Sequence, residues 1–135
     1  MRLPTRFALA GSLVLAAMAG CGGDTPTGSN GPTPGPLTLT LATPSGDDGA
    51  LVFTVRGALV QGFTPAAGLT AYTTPVGQTF IKIILVGPLA SGPVGRLQVP
   101  DTRNATNYTA SILQAASATS YAPQRLSGYS IGVSR

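Results

Sequence analysis

The chain contains no histidine, no tryptophan and no glutamate, and a single cysteine, Cys21, in 135 residues. Without histidine there is no Ser-His-Asp triad, no Cys-His pair and no ordinary zinc site. One cysteine excludes an internal disulfide. Without glutamate, a paired-carboxylate hydrolase would have to draw on Asp47, Asp48 and Asp101. Charge of either sign is sparse, at 9 % of residues, with eight Lys or Arg against four Asp and a net charge of +4. Arg2 and Arg6 sit at the very start. Arg56, Lys82, Arg96, Arg103, Arg125 and Arg135 then face Asp24, Asp47, Asp48 and Asp101. These cations are scattered singly. Nucleic-acid binding needs a clustered patch or stripe, so no nucleic-acid partner is expected.

Glycine and proline are abundant instead, 18 and 12 residues, a level at which low complexity is suspected. Yet 43 % of the chain is hydrophobic. Disordered chains combine low hydrophobicity with high net charge. This chain has neither, which predicts a turn-rich folded β domain preceded by a short unstructured stretch.

Residues 1–20 read as an export leader. Arg2 and Arg6 form a positive start, and Phe7 to Met18 is an apolar run of 12 residues. That run is short for a membrane-spanning helix, which needs about 20. Met18-Ala19-Gly20-Cys21 follows directly, and small residues before a cysteine at this place resemble the bacterial lipobox. Ala19, Gly20 and Cys21 match that family pattern; Met18 stands where the family prefers Leu. The resemblance implies cleavage before Cys21, a lipid on its thiol and acylation of the new amino terminus. Two or more acyl chains anchor a protein stably, where one does so only marginally. Gly22, rather than Asp, favours outer over inner membrane within that resemblance.

From Cys21 to Pro36 the chain has 16 residues, and after the cysteine it reads GGDTPTGSNGPTPGP. Nothing there is apolar enough to offset the entropy of ordering. As a coil it would span on the order of 20 Å, and fully extended at most about 50 Å. This segment is a spacer, and the domain is expected over 37–135.

Within 37–135, strands are read from period-2 alternation. Leu37, Leu39 and Leu41 alternate with threonines. Pro44 to Gly49 is a turn cluster, and Leu51, Phe53 and Val55 form the next inward face. A weaker strand covers 68–74, after a loop at 62–68. Thr79 to Val86 is the strongest, apolar on both faces, with Ile81, Ile83 and Leu85 on one and Phe80, Ile84 and Val86 on the other. Such a strand is expected in the middle of a packed structure. A loop at 87–93, a strand at 94–99, one at 108–116 and one at 126–133 complete the set. The stretch 109–118 also fits a helical face through Tyr108, Ile112 and Ala115, but alternation and its β neighbours favour a strand. The expected fold is all-β: one antiparallel β-sandwich of about seven strands. Its expected core is Leu39, Leu41, Leu51, Phe53, Val55, Ile81, Ile83, Leu85, Leu97, Val99, Ile112, Ile131 and Val133.

The runs GALVFTVRG, FIKIILVGPLASGPVGRLQVPD and GYSIGVS resemble cohesin-like and related immunoglobulin-like sandwiches of bacterial extracytoplasmic proteins. The likeness covers most of 37–135 at the level of pattern. It implies a sandwich architecture and a binding role outside the cytoplasm, and identifies no binding residue.

The site candidates are few. Asp47 and Asp48, with Asp101, could supply oxygens to Ca²⁺ in an adhesion domain, but the spaced carboxylate ladder of a calcium loop is missing, and turn residues capping their own backbone explain them as well. Tyr72 and Tyr121 could stack on sugar rings, though sugar-binding sandwiches lean on Trp. Tyr108 and Tyr129 fall in strand patterns and read as packing residues with surface hydroxyls. Asn104-Ala-Thr and Asn107-Tyr-Thr match the glycosylation triplet, and loop asparagines explain both. Arg56, Arg96 and Arg103 are available as rim or anchor residues of a contact, with loops 44–49, 62–68, 87–93 and 100–106 at its edges. No phosphate-cradling loop occurs, and no base stands ready to activate a Ser or Thr. No cofactor and no enzymatic activity are expected. The expected role is a membrane-anchored contact module of the cell envelope with a protein partner; the alternative is a carbohydrate or small-ligand binder.

Overall fold

The computed structural model describes residues 30–135. The export leader, Cys21 and the first part of the spacer lie outside the described residues. Among the described residues eight strands form. They are β1 (Gly35–Ala42), β2 (Asp48–Arg56), β3 (Gly62–Pro65), β4 (Thr70–Pro75), β5 (Phe80–Leu89), β6 (Gly92–Val99), β7 (Thr109–Ser117) and β8 (Ser130–Ser134). A short 3₁₀ segment, Thr102–Asn107, links β6 to β7. One sheet has the order β3-β6-β1-β8 and the other β4-β5-β2-β7. Every ladder is antiparallel. The fold is therefore an all-β sandwich.

Alternation builds the core. Leu37, Leu39 and Leu41 of β1 face Leu51, Phe53 and Val55 of β2 and Ile81, Ile83 and Leu85 of β5 across the sandwich, all buried in one cluster with Leu97 and Val99. Ile112, Ile131 and Val133 pack against that cluster but are only half-buried, because they lie on the outermost strands β7 and β8. Leu89, Val94, Tyr108 and Ala115 join the core as well, and they and Leu37 extend it beyond the residues expected from the sequence. Phe63 of β3 completes it from the other sheet. Its ring meets that of Phe53 edge-on, with centroids 6.1 Å apart. This approach needs Gly95 on β6, where an added Cβ would fall 2.2 Å from the Phe63 ring.

Several sequence expectations are corrected. The strand count is eight, not about seven, because β3 lies in what reads as the 62–68 loop. Four residues with Gly at one end and Pro at the other carry too little alternation to register. The 87–93 loop shrinks to Ala90-Ser91, since β5 runs through Gly87 and Pro88 to Leu89. The last strand starts at Ser130; Leu126 to Tyr129 form a turn closed by the Tyr129 N–H to the Leu126 carbonyl. The stretch 109–117 is strand throughout. Strand β5 does lie inside its sheet, but its second apolar face is not covered: Val86 is 44 % exposed. A two-layer sandwich covers one face of each sheet only. The fold also engages the chain before Leu37, with β1 starting at Gly35 and hydrogen bonds reaching Asn30.

All four outer strands limit edge pairing. Strands β3 and β4 each end on a proline, β8 has five residues, and β7 carries a bulge at Leu113. Short, proline-bearing or bulged edges resist pairing with another chain's backbone.

Candidate functional site

The strand directions give the sandwich two ends. Chain entry at 30–34 and the connections 57–61, 76–79 and 100–108 gather at one, called the entry end here. The connections 43–47, 90–91 and 118–129 gather at the other, the far end.

Two long turns are tied together at the far end by carboxylates facing hydroxyls. The Asp47 carboxylate accepts from the Ser117 hydroxyl and from Thr119 Oγ1 at 2.7 Å. These hydroxyls, Ser117 first, hold the Asp47 carboxyl below its usual range. Asp48, only 3 % exposed, accepts from Thr43 Oγ1 at 2.5 Å and from the Tyr129 hydroxyl at 2.6 Å. Burial, and next the bond to Asp48, push the Tyr129 phenol above its usual range. Ser91 Oγ closes the arrangement by accepting from the Thr43 N–H at 2.9 Å. Asp47 and Asp48 thus tie the turns through side-chain hydroxyls, rather than by capping their own backbone as the turn reading expects. Asp101 lies at the entry end, so the three carboxylates never form one set. Among the described residues no group of three potential metal ligands occurs.

Beside this end lies an apolar surface. The outward rows of the β4-β5-β2-β7 sheet are Thr70, Val86, Ala50 and Ala116, then Tyr72, Ile84, Val52 and Gln114. The first row opens into a groove of about 580 Å³ floored by Gly49 and Ala50 and walled by Val86, Pro88, Ala118 and Tyr121. Tyr121 is 83 % exposed and has φ of +57°, the left-handed region that non-glycine residues seldom adopt. Its backbone is held by the N–H to the Ser117 carbonyl, and the next residues, through Pro123, bridge to Ala116. Backbone held in a sparsely populated region costs about 1–3 kcal/mol and collects at functional sites. Tyr72, 61 % exposed, stands on β4 on the same outer surface.

The sequence candidates are thereby sorted. Tyr72 and Tyr121 share one outer surface. Arg56 belongs to it too, but near the entry end, where its guanidinium lies 5.1 Å over the Phe80 ring. Arg96 is on the opposite sheet, beside Thr38 and Thr64, at a hollow of about 470 Å³. Arg103 sits in the 3₁₀ segment and grips Asp101, Nε to Oδ1 at 3.0 Å and Nη2 to Oδ2 at 3.1 Å. The five do not converge on one point. Tyr108 departs from its expected surface hydroxyl: the residue is buried, and its hydroxyl donates to the Leu59 carbonyl at 2.6 Å. Asn104 donates to Asp101 through Nδ2 at 3.1 Å, an ordinary loop role.

The groove itself was missed in the sequence. Its signal is the coincidence of small residues at the ends of three paired strands, Gly49-Ala50, Gly87 and Ala116 to Ala118. These become neighbours only once the register is known. The comparisons with known proteins give no match: no protein-family model, no curated protein and no solved structure matches this chain.

Proposed function

We propose that this chain is a lipid-anchored extracytoplasmic module of the bacterial cell envelope that acts by contact with another envelope protein and not as an enzyme. Cys21 carries the lipid, and the outer membrane is favoured over the inner. The cohesin-like or immunoglobulin-like resemblance belongs to this proposal, as the kind of sandwich that works by binding. One observation carries the contact surface. Tyr121 projects at the far end in a left-handed backbone conformation, beside an apolar groove. Exposed tyrosines around an apolar centre with a polar rim are the usual anchors of a protein interface. Thr70, Gln114 and Ser120 supply that rim. The described carboxylates are all committed to holding turns, which favours contact over catalysis.

Crosslinking in intact cells from the groove rim tests this. A reproducible envelope protein, lost on Tyr121→Ala, is the expected result; turnover of a substrate by the purified protein would overturn it. Cys21→Ser tests the anchor separately, because the variant is expected to leave the membrane fraction on a salt wash. A second reading is carbohydrate binding, favoured by Tyr72 and Tyr121 lying on one surface. A glycan bound by the wild type and lost on Tyr72→Ala would move the assignment there.

A further inference from the structure

The exposed apolar side chains fall into two groups. Tyr72, Val86, Tyr121 and Leu126 lie along the outer surface and far end already described, and Leu113 on an edge strand. Leu59, 40 % exposed, and Val76, 55 % exposed, stand at the entry end. Their loops are neighbours. The Val60 N–H donates to the Gln78 carbonyl at 3.2 Å, and the Gly57 N–H to the Thr79 carbonyl at 3.1 Å. The Leu59 carbonyl is pinned by Tyr108, and the loop is pressed against the 3₁₀ segment at Gly57, where a Cβ would fall 1.7 Å from the Asn107 carbonyl oxygen. Two apolar tips are thus presented on a fixed base.

Charge at this end has one sign to spare. Arg56 and Lys82 point outward from adjacent strands with no carboxylate partner among the described residues. The carboxylate at this end, Asp101, is taken up by Arg103. Of the three aspartates among the described residues, Asp47 and Asp48 lie at the other end, where Arg125 offsets one of them, so the far end carries an excess of negative charge and the entry end of positive. The chain enters here as well. Thr33 donates its N–H to Asp101 at 3.2 Å and accepts from the Thr102 N–H at 2.8 Å, and Arg103 reaches the Asn30 carbonyl. The described structure therefore begins at this end, which is where residues 1–29, with their apolar run, join it in sequence.

We propose that the entry end is a membrane-seating surface: Leu59 and Val76 enter the headgroup region of an anionic phospholipid bilayer while Arg56 and Lys82 meet its phosphates. Apolar tips flanked by cations suit that interface, where each basic residue near the surface strengthens binding about fivefold. The inference takes its setting from the membrane-tethered reading above. It adds an orientation, with the Tyr121 groove held away from the bilayer.

The absence of tryptophan gives a clean test. Full-length protein with Leu59→Trp or Val76→Trp is mixed with vesicles of phosphatidylglycerol and phosphatidylcholine in equal parts, some with brominated acyl chains. The expected result is a blue-shifted indole quenched by bromine at both positions, and no quenching for Leu126→Trp at the far end. Arg56→Gln with Lys82→Gln is expected to lower the quenched fraction, as high salt does. All three indoles report locally at exposed sites, so neither folding nor the leader decides the outcome. Unquenched indoles at both entry-end positions in vesicles that carry the protein would overturn the proposal. Equal quenching at the far end, or on phosphatidylcholine alone, would do the same. A blue shift with polyglutamate but not with vesicles would reassign the surface to an acidic polypeptide. The Cys21→Ser fractionation reads the anchor independently, so either idea can fail without the other.

Discussion

Both ends of the sandwich are closed around aspartate, but with different partners. At the entry end, Asp101 takes a guanidinium fork from Arg103 and an N–H from Thr33. At the far end, Asp47 and Asp48 take hydroxyls from Ser117, Thr119, Thr43 and Tyr129. The ion pair spans two residues in sequence, and an exposed pair of this kind is screened by salt and contributes little. The hydroxyl set joins segments up to 81 residues apart, and Asp48 is nearly buried within it. The entry end is thus a local clip that fixes where the chain arrives. The far end is a long-range tie that fixes the turns beside the groove. The difference also sets the charge. Arginine cancels the one carboxylate at the entry end, while hydroxyls carry no charge to cancel the two at the other.

Asp48→Ala is the substitution expected to separate the ends most sharply. It leaves the Thr43 and Tyr129 hydroxyls without their acceptor in a partly buried site, which costs roughly 2–3 kcal/mol. For a domain of this size the melting temperature should fall on the order of 10 °C. The loss should persist in high salt, and Tyr121 should lose crosslinking at the groove. A melting point equal to wild type would show that the far end is not held by this tie.

Tyr129→Phe removes one hydroxyl from the same tie and keeps the ring against the core. About 1 kcal/mol is expected, again insensitive to salt, read as a shift in the urea midpoint with unchanged slope. A changed slope would mean that the ring, not its hydroxyl, supports the turns.

How much of this was legible beforehand follows from the range of each signal. Alternation is local, so the inward faces of β1, β2 and β5 could be read from Leu39, Phe53 and Ile83 alone. Composition marks Gly22 to Pro36 as a stretch without apolar residues but does not show the anchor at Thr33, which depends on Asp101, 68 residues away. Strand β3 escapes for lack of length, and what makes it a strand is its antiparallel pairing with β6, from Gly62 opposite Gln98 to Pro65 opposite Gly95, a partner 30 to 36 residues away in sequence. Asp47 and Asp48 read from the sequence as turn residues capping their own backbone, but Asp48 begins β2, and the Ser117, Thr119 and Tyr129 hydroxyls that meet the pair come from a distant part of the chain that local pattern does not show. Tyr72 and Tyr121 were singled out as exposed rings, but not the groove between Pro88 and Ala118, whose walls come from different strands.

The smallest expected effect tests the entry end, through acid. Arg103, ahead of the Thr33 N–H, holds the Asp101 carboxyl well below the usual carboxylate range, and Ser117, ahead of Thr119, lowers that of Asp47. A carboxyl depressed in the folded state contributes stability that is present above its unfolded pKa, about 3.9, and lost as pH falls through the folded value. Both contributions are therefore fully present and independent of pH near neutrality, and both should be withdrawn as pH drops below about 4. Asp101→Asn keeps an oxygen for the Thr33 N–H but removes the charge that Arg103 meets. Its melting point at neutral pH should lie close to wild type in high salt and slightly below it in low salt. Its acid slope should be shallower than wild type, and amide exchange at Thr33 should quicken. Asp47→Asn should also flatten the acid slope, but with no dependence on salt and no change at Thr33. If the two variants share one salt dependence and one exchange pattern, the ends are not closed by different chemistry, and the contrast between a charged clip and a hydroxyl tie fails.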